Sequence, residues 1–468
     1  MKALIFLLPL LALSEQVFVS QQTQDDAAKI IQFLTQGKGK GQAYDWLETL
    51  ADTFGNRYAP GPQYDKAAAY VVSKLKELGV DKVWMEQAPG VPHWFRGQPP
   101  NNSDYAMLLE PRPLYIPVLA LGNSTATPKG GLKNVKAIVV RSFDELAALP
   151  DDKVQGRIVV WNQPWLGSYD KSVQYRAYGA TKAAERGAIA TLIRSVTPQS
   201  LYTLHTGGIH YSNDSKLQIP VGSITVEDAE LLYRLQEKYG NELVMSLEMN
   251  TQFFGYISKP NVVAEITGSM YPDEMVLFGG HLDSWDVGQG AMDDGGGITM
   301  AWQALATVKQ LGLRPKRTLR AVFWAAEEFG YIGSAAFYKN HSSDSSKISL
   351  VMESDTGTFN PLGFHYQGNA KAHAMLTEVM QLLKPLNATA LPNDGQGPGD
   401  PGPFVTNNGV PGVELMTEGF NDKYFWYHHT NADTMTMTNS THLDKCAAVW
   451  TVMAYSVANF DQLLPHGK

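Results

Sequence analysis

A chain of 468 residues, 44% apolar and 18% charged, is long enough to bury a large core and to divide into two domains, and its balance is not that of a disordered protein. The net charge of −8 is spread along the sequence without a basic cluster, which argues against nucleic acid as a partner. Beyond the N-terminus no apolar run is long enough to span a membrane.

Met1-Lys2 gives a basic start, Ala3 to Leu13 is a short apolar run, and polar residues follow from Gln21. That pattern predicts a secretory signal peptide over residues 1–20, with cleavage after Ser14 or Ser20. Six Asn-x-Ser/Thr acceptors, at Asn101, Asn123, Asn213, Asn340, Asn387 and Asn439, agree with it. The expected product is a glycoprotein of the secretory pathway, secreted or held in lysosomes, with removal of a short propeptide ending near Gln42 left open. One cysteine, Cys446, excludes an internal disulfide. It lies in an apolar helical pattern and is expected to be a buried, inert thiol.

Asp25 to Leu78 reads as largely helical. Ala27, Ile30, Ile31 and Leu34 share one face, Ala67 to Leu78 forms a further amphipathic helix, and Asn56 to Gly61 is a turn. Val83 to Gln87 is a strand candidate, and Pro92 to Pro113, rich in Pro and Asn, is expected to be a loop. From Tyr115 to Glu248 short strands recur at Ala137–Val140, Arg157–Trp161 and Ala190–Ile193, with a helix at Tyr178–Gly187, and Ile219–Ile224 precedes another at Val226–Tyr239. From Asn261 onward strands alternate with helices at Ile298–Leu311, Gly333–Lys339, Ala372–Leu383 and Leu443–Phe460. Such alternation predicts an α/β fold, a mostly parallel mixed sheet flanked by helices. The expected division is a catalytic domain of residues 21–114 and 249–468 around an inserted β-rich domain, 115–248.

In open sheets of this class ligands sit at the carboxyl ends of the strands. Isolated acids and histidines stand at those ends here. Met275 to Gly280 leads into His281-Leu282-Asp283, Leu319 to Ala326 into Glu327-Glu328, and Ile348 to Ser354 into Asp355. Asp293-Asp294 sits in a glycine-rich turn, and His428-His429 comes later, with Asp433 four residues after His429. Alone, His-x-Asp is a common surface pair and Asp-Gly an ordinary turn. In order, each at a strand end, they form a set of carboxylates and imidazoles without thiolate, which suits zinc. Two such ions about 3.5–4 Å apart would share and acidify a water. Adjacent Glu327 and Glu328 then split roles, one ligating and one free as a base.

His281-x-Asp283, Asp293, Glu327-Glu328, Asp355 and His429-x-x-x-Asp433-Thr434 resemble the motifs of the co-catalytic dizinc exopeptidases, which include bacterial leucine aminopeptidases and glutamate carboxypeptidases. The resemblance covers nearly the whole mature chain. It implies two Zn2+ per chain: one on His281, Asp293 and Asp355, the other on Asp293, Glu328 and His429, with Asp293 bridging. It makes Glu327 the general base acting on the bridging water, and Asp283 a supporting carboxylate behind the ligands. Asp433 stands ready to orient a neighbour. The inserted block resembles a protease-associated domain at Gly156 to Val160 and Ala183 to Ile189, and a homodimer is implied.

The expected activity is that of a secreted carboxypeptidase or dipeptidase acting on small unblocked peptides. A dizinc aminopeptidase is the alternative, and a receptor-like binder on the same scaffold, without catalysis, is a third reading. Asp400, Pro403-Phe404, Tyr424 and Tyr427 are candidates to line the substrate pocket.

Overall fold

The computed structural model describes residues 18–97, 104–199 and 201–467. Most of the predicted signal peptide, residues 1–17, and the acceptor Asn101 lie outside them.

The chain builds two sheets. The first has seven strands in the order Lys82–Phe95, Gln252–Ile266, Arg317–Trp324, Tyr271–His281, Ile348–Glu353, Gly412–Thr417 and Pro361–Gln367. Its four central strands, from Arg317–Trp324 to Gly412–Thr417, are parallel, and the outer ones pair antiparallel. Alternate residues of each strand face opposite ways. Val276, Phe278, Leu319, Ala321, Phe323, Leu350 and Met352 therefore join one core. Met275, Leu277, Val322, Trp324 and Val351 join a second on the other face. The first core is closed by helices Gln21–Thr35, Gly296–Gln310 and Ser440–Ala458, which pack on one another. Ser440–Ala458 is apolar nearly all round, so it can only sit inside. Cys446 is buried in it and its Sγ donates to the Phe359 carbonyl at 3.1 Å, consistent with an inert thiol.

The second sheet has eight strands, in the order Leu114–Ile116, Tyr105–Glu110, Leu243–Glu248, Leu132–Val140, Ile158–Trp161, Ala190–Arg194, Val221–Ile224 and Leu119–Ala120. Helices Gln174–Ala184 and Val226–Glu237 accompany it, and it carries its own two apolar clusters. The sheet takes in Tyr105–Glu110, ahead of the boundary expected at residue 115.

The loop expected over Pro92 to Pro113 is corrected at both described ends. Lys82–Phe95 is one long edge strand, with register shifts beside Pro89 and Pro92. Proline is tolerated where an edge strand bulges, and the prolines sit at those irregularities. The helical N-terminal region contains a further helix, Gln42–Phe54, between the two that apolar spacing picked out.

Candidate active site

Every site residue follows the carboxyl end of a central strand or lies on a loop folded across that edge. His281 ends its strand in register with Trp324, whose chain continues to Glu327-Glu328. Ile348–Glu353 stops two residues before Asp355. Asp293 lies in the turn before helix Gly296–Gln310, and His429 follows the short helix Phe425–Tyr427. Three non-glycine residues at this edge, Ala326, Tyr331 and His429, have φ of 54°, 59° and 61°. Such conformations persist only where the surrounding structure holds them.

The acids and imidazoles converge. His281 Nε2 lies 3.1 Å from Asp293 Oδ1, 3.7 Å from Asp355 Oδ1 and 3.9 Å from Glu327 Oε2. His429 Nε2 lies 3.0 Å from Glu328 Oε2 and 3.3 Å from Asp293 Oδ2. His428 stacks on His429 with ring centroids 3.5 Å apart, and its Nε2 is 3.5 Å from the same Asp293 oxygen. Two groups able to hold an ion result, His281 with Asp293 and Asp355, and Asp293 with His428 and His429; they share Asp293.

The donor set fits metal. His281 Nδ1 donates to the Asp283 carbonyl at 2.9 Å and His429 Nδ1 to the Thr206 carbonyl at 3.1 Å. Each ring thereby turns its Nε2 lone pair toward the carboxylates. His281 Nε2, Asp293 Oδ2 and Glu328 Oε1 are buried without a hydrogen-bond partner. Converging acceptors with no hydrogen between them are unfavourable unless a cation sits among them. Burial, then the neighbouring acids, pushes the Asp293 and Glu328 carboxyls upward, and burial holds His428 and His429 neutral. His281 instead is raised: burial opposes its charge, but Asp293 and Asp355 outweigh it. A metal ion would take the place of that proton.

Supports differ from expectation in one respect. Asp283 meets His281 through its backbone carbonyl, and its carboxylate oxygen lies 3.9 Å from the ring. That carboxylate instead accepts the backbone N–H groups of Glu327 at 3.1 Å and Glu328 at 3.4 Å. Asp433 similarly accepts the N–H groups of Met292 at 2.8 Å and Asp293 at 3.2 Å. Asp294 is fully buried beside Gly280 and Gly297, where a Cβ would come within 2.1 and 2.4 Å of its carboxylate. It accepts from His281 N–H at 3.1 Å and Gly297 N–H at 2.9 Å, so these glycines make room for a carboxylate that ties the turn to the strand.

Sequence reasoning missed three contributors. Arg57, fully buried, donates to the carbonyls of Leu282, Gln289 and Gly290 at 2.7–2.9 Å. From the second-sheet block, Thr206 pairs with His429 in both directions, its N–H reaching the His429 carbonyl at 2.9 Å. Tyr169, from the same block, stacks on Phe425 at 4.8 Å and meets His428 edge-on. No local pattern marks these, because each contact joins segments far apart in sequence. Of the pocket candidates, Asp400 lines a cavity of about 430 Å³ with Glu327 and Asp355, and Tyr424 donates to Asp355 at 3.1 Å. Phe404 is buried instead against Phe337 and Tyr338, on the core side.

Carboxylates and imidazoles clustered at the C-terminal edge of a parallel sheet are the donor set of a metal-dependent hydrolase. Residues 261–454 match the model of peptidase family M28. Carboxypeptidase Q of Mus musculus is 46% identical over 442 residues, 94% of this chain and 91% of that protein. The Homo sapiens protein of that name is 44% identical over 441 residues, 94% and 90% of the two chains. Among solved structures, the peptidase M28 precursor of Shewanella amazonensis superposes with a TM-score of 0.88 at 32% identity, covering 96% of this chain and 99% of that one. The zinc aminopeptidase of Bacillus subtilis shares the fold, with a TM-score of 0.66 at 18% identity over 89% and 94%. The chain belongs to peptidase family M28 and, within it, stands with carboxypeptidase Q; it is a zinc-dependent exopeptidase.

Proposed function

We propose that this exopeptidase hydrolyses small unblocked peptides, above all dipeptides, as a carboxypeptidase or dipeptidase with two zinc ions per chain. The observation that carries this reading is the sharing of Asp293 between two ion-holding groups. His281, Asp293 and Asp355 would hold one ion. Asp293, Glu328 and His429 would hold the other, Glu328 being nearer to His429 than Asp293 is. Bound there, the ions supply Lewis acidity to a scissile carbonyl and to the attacking water. Glu327, 3.9 Å from His281 and facing the cavity, is the residue left to take the water's proton and return it to the leaving amine. Asp283 holds its backbone, and Asp433 holds that of Asp293.

The second-sheet block, which we assign as a protease-associated domain, roofs the site through Thr206 and Tyr169. A roofed cavity admits a chain end more readily than the middle of a long polypeptide, which supports exopeptidase action on short substrates. The aminopeptidase alternative keeps the same residues and differs in which terminus is read. Dipeptides blocked at one end or the other decide it. Loss of cleavage on blocking the carboxylate supports the carboxypeptidase reading. Undiminished cleavage of the carboxylate-blocked peptide, with loss on blocking the amine, refutes it.

We further propose a glycosylated product of the secretory pathway, secreted or lysosomal, that pairs as a homodimer. Asn213, Asn340, Asn387 and Asn439 are exposed and Asn123 half-buried. Among the described residues no helix is long and apolar enough to cross a membrane. Val19 is buried, Phe18 N–H donates to Glu378 at 3.0 Å, and Ser20 caps the first helix. These contacts support signal cleavage after Ser14 rather than Ser20. Burial of Ala27, Ile30 and Leu34 likewise supports retention of the first helix in the mature chain.

A further inference from the structure

Behind the proposed ligands stands a second group of acids that hold no ion in that scheme. Glu353 ends its strand opposite Glu414 in register. The backbone N–H of Asp400 donates to Glu353 Oε2 at 2.7 Å, and Glu414 Oε1 accepts the Asp355 N–H at 2.9 Å. All three line the cavity of about 430 Å³, which Glu327, Asp355 and Asp170 also border. Among the described residues lining it there is no Lys, Arg or His. Asp400 is 1% exposed, and neither of its carboxylate oxygens has a hydrogen-bond partner. Glu353 is equally buried, with Oε1 unpartnered. The nearby hydroxyl of Ser334 donates instead to the Tyr331 carbonyl at 3.1 Å. Asp400 and Glu353 face each other, and burial together with the neighbouring acids pushes both carboxyls well up, a cost that an arriving donor or cation relieves.

We propose that this cavity is a subsite for a substrate side chain ending in an ammonium or guanidinium group, with Asp400 and Glu353 as the specificity-determining residues. The proposal rests on the exopeptidase reading above. Glu353 ends its strand two residues before Asp355, so their α-carbons stand at most about 7 Å apart. A substrate's α-amine is one bond from its α-carbon and stays beside the reacting carbonyl near Asp355. A lysine or arginine side chain carries its charge several bonds further and spans the distance to Glu353. The aromatic rings of Tyr331, Phe420 and Phe425 in the same wall suit the apolar stem and the cation of such a side chain.

The test compares kcat/KM of the zinc-loaded full chain on Lys-Ala against norleucine-Ala, and on Ala-Lys against Ala-norleucine. Each pair shares its α-amine and α-carboxylate, so the ratio isolates the side-chain charge. Lysine is expected to be favoured at least tenfold in one position, and Asp400→Asn to bring that ratio close to one. Glu353→Gln serves as the second variant if thermal melting shows the first to be unfolded. Binding gives a readout independent of turnover: in calorimetric titration of the zinc-loaded full chain, pentylamine should bind at least tenfold more tightly than 1-pentanol, and Asp400→Asn should remove the difference. Equal hydrolysis of lysine and norleucine peptides in both positions overturns the subsite and leaves the exopeptidase reading intact. Failure to cleave any of the four, with pentylamine binding still dependent on Asp400, sinks the dipeptidase reading and sustains the subsite. Failure of both cleavage and amine selectivity removes both.

Discussion

Asp283 reaches Glu327 through the backbone: its Oδ1 accepts the Glu327 N–H at 3.1 Å while Oδ2 takes that of Glu328 at 3.4 Å. One fully buried carboxylate thus sets the turn that aims both glutamates. Asp283→Asn would offer an NH2 group where one of the two N–H donors needs an acceptor. We expect kcat to fall roughly 10–100-fold, the range typical of groups that orient metal-site residues. Zinc content should stay near wild type, because His281 is held by the Asp283 carbonyl, which the substitution keeps. Elemental analysis showing loss of both ions would place Asp283 in metal retention instead.

In the proposed two-zinc site, Glu327 is the glutamate of the pair not needed to hold an ion. Burial, then the charge of nearby Asp400, raises its carboxyl, against the pull of His281, which suits a group that must take up and give back a proton. Glu327→Gln keeps its shape and removes the basic oxygen. Turnover should drop about 10²–10⁴-fold, with two zinc ions per chain retained. Steady-state kinetics close to wild type would take the base role from Glu327.

The stacked pair His428 and His429 poses a sharper question. Both Nε2 atoms lie within 3.5 Å of Asp293 Oδ2, but His429 alone is also 3.0 Å from Glu328 and oriented by the Thr206 carbonyl. His429→Ala should therefore leave about one zinc per chain, whereas His428→Ala should leave two. The reverse pattern in metal analysis would exchange their roles.

The residues proposed as ligands were legible because each follows an apolar strand or a glycine turn directly, so local pattern and three-dimensional position coincide. The part played by Asp283 was not. Its carboxylate binds backbone 44 and 45 residues away, and backbone donors leave no trace in a sequence. Arg57 and Thr206 were invisible for the same reason: what they bind is carbonyl oxygen and a distant imidazole. The strand through Pro92 is hidden in the sequence because proline excludes a central strand but not a bulged edge. Three of the four central parallel strands emerged because their apolar runs, buried on both faces, are unmistakable; the fourth, Gly412–Thr417, did not, its burial being incomplete.

His205 ties acid stability to the second-sheet block. Burial, reinforced by the charge of Arg176, pushes its imidazole down to about 3 from 6.5. The folded state therefore keeps it neutral over a range where the unfolded chain takes up a proton. Stability from this group is complete above pH 6.5 and is lost as pH falls toward 3. The slope is at most about 1.4 kcal/mol per pH unit. His205→Gln removes that proton uptake. The urea midpoint of the wild type should fall more steeply between pH 7 and pH 5 than that of the variant, measured in parallel so that acid loss of metal affects both. Equal slopes would mean that His205 is protonated in the folded protein, and that the block opens to water around it.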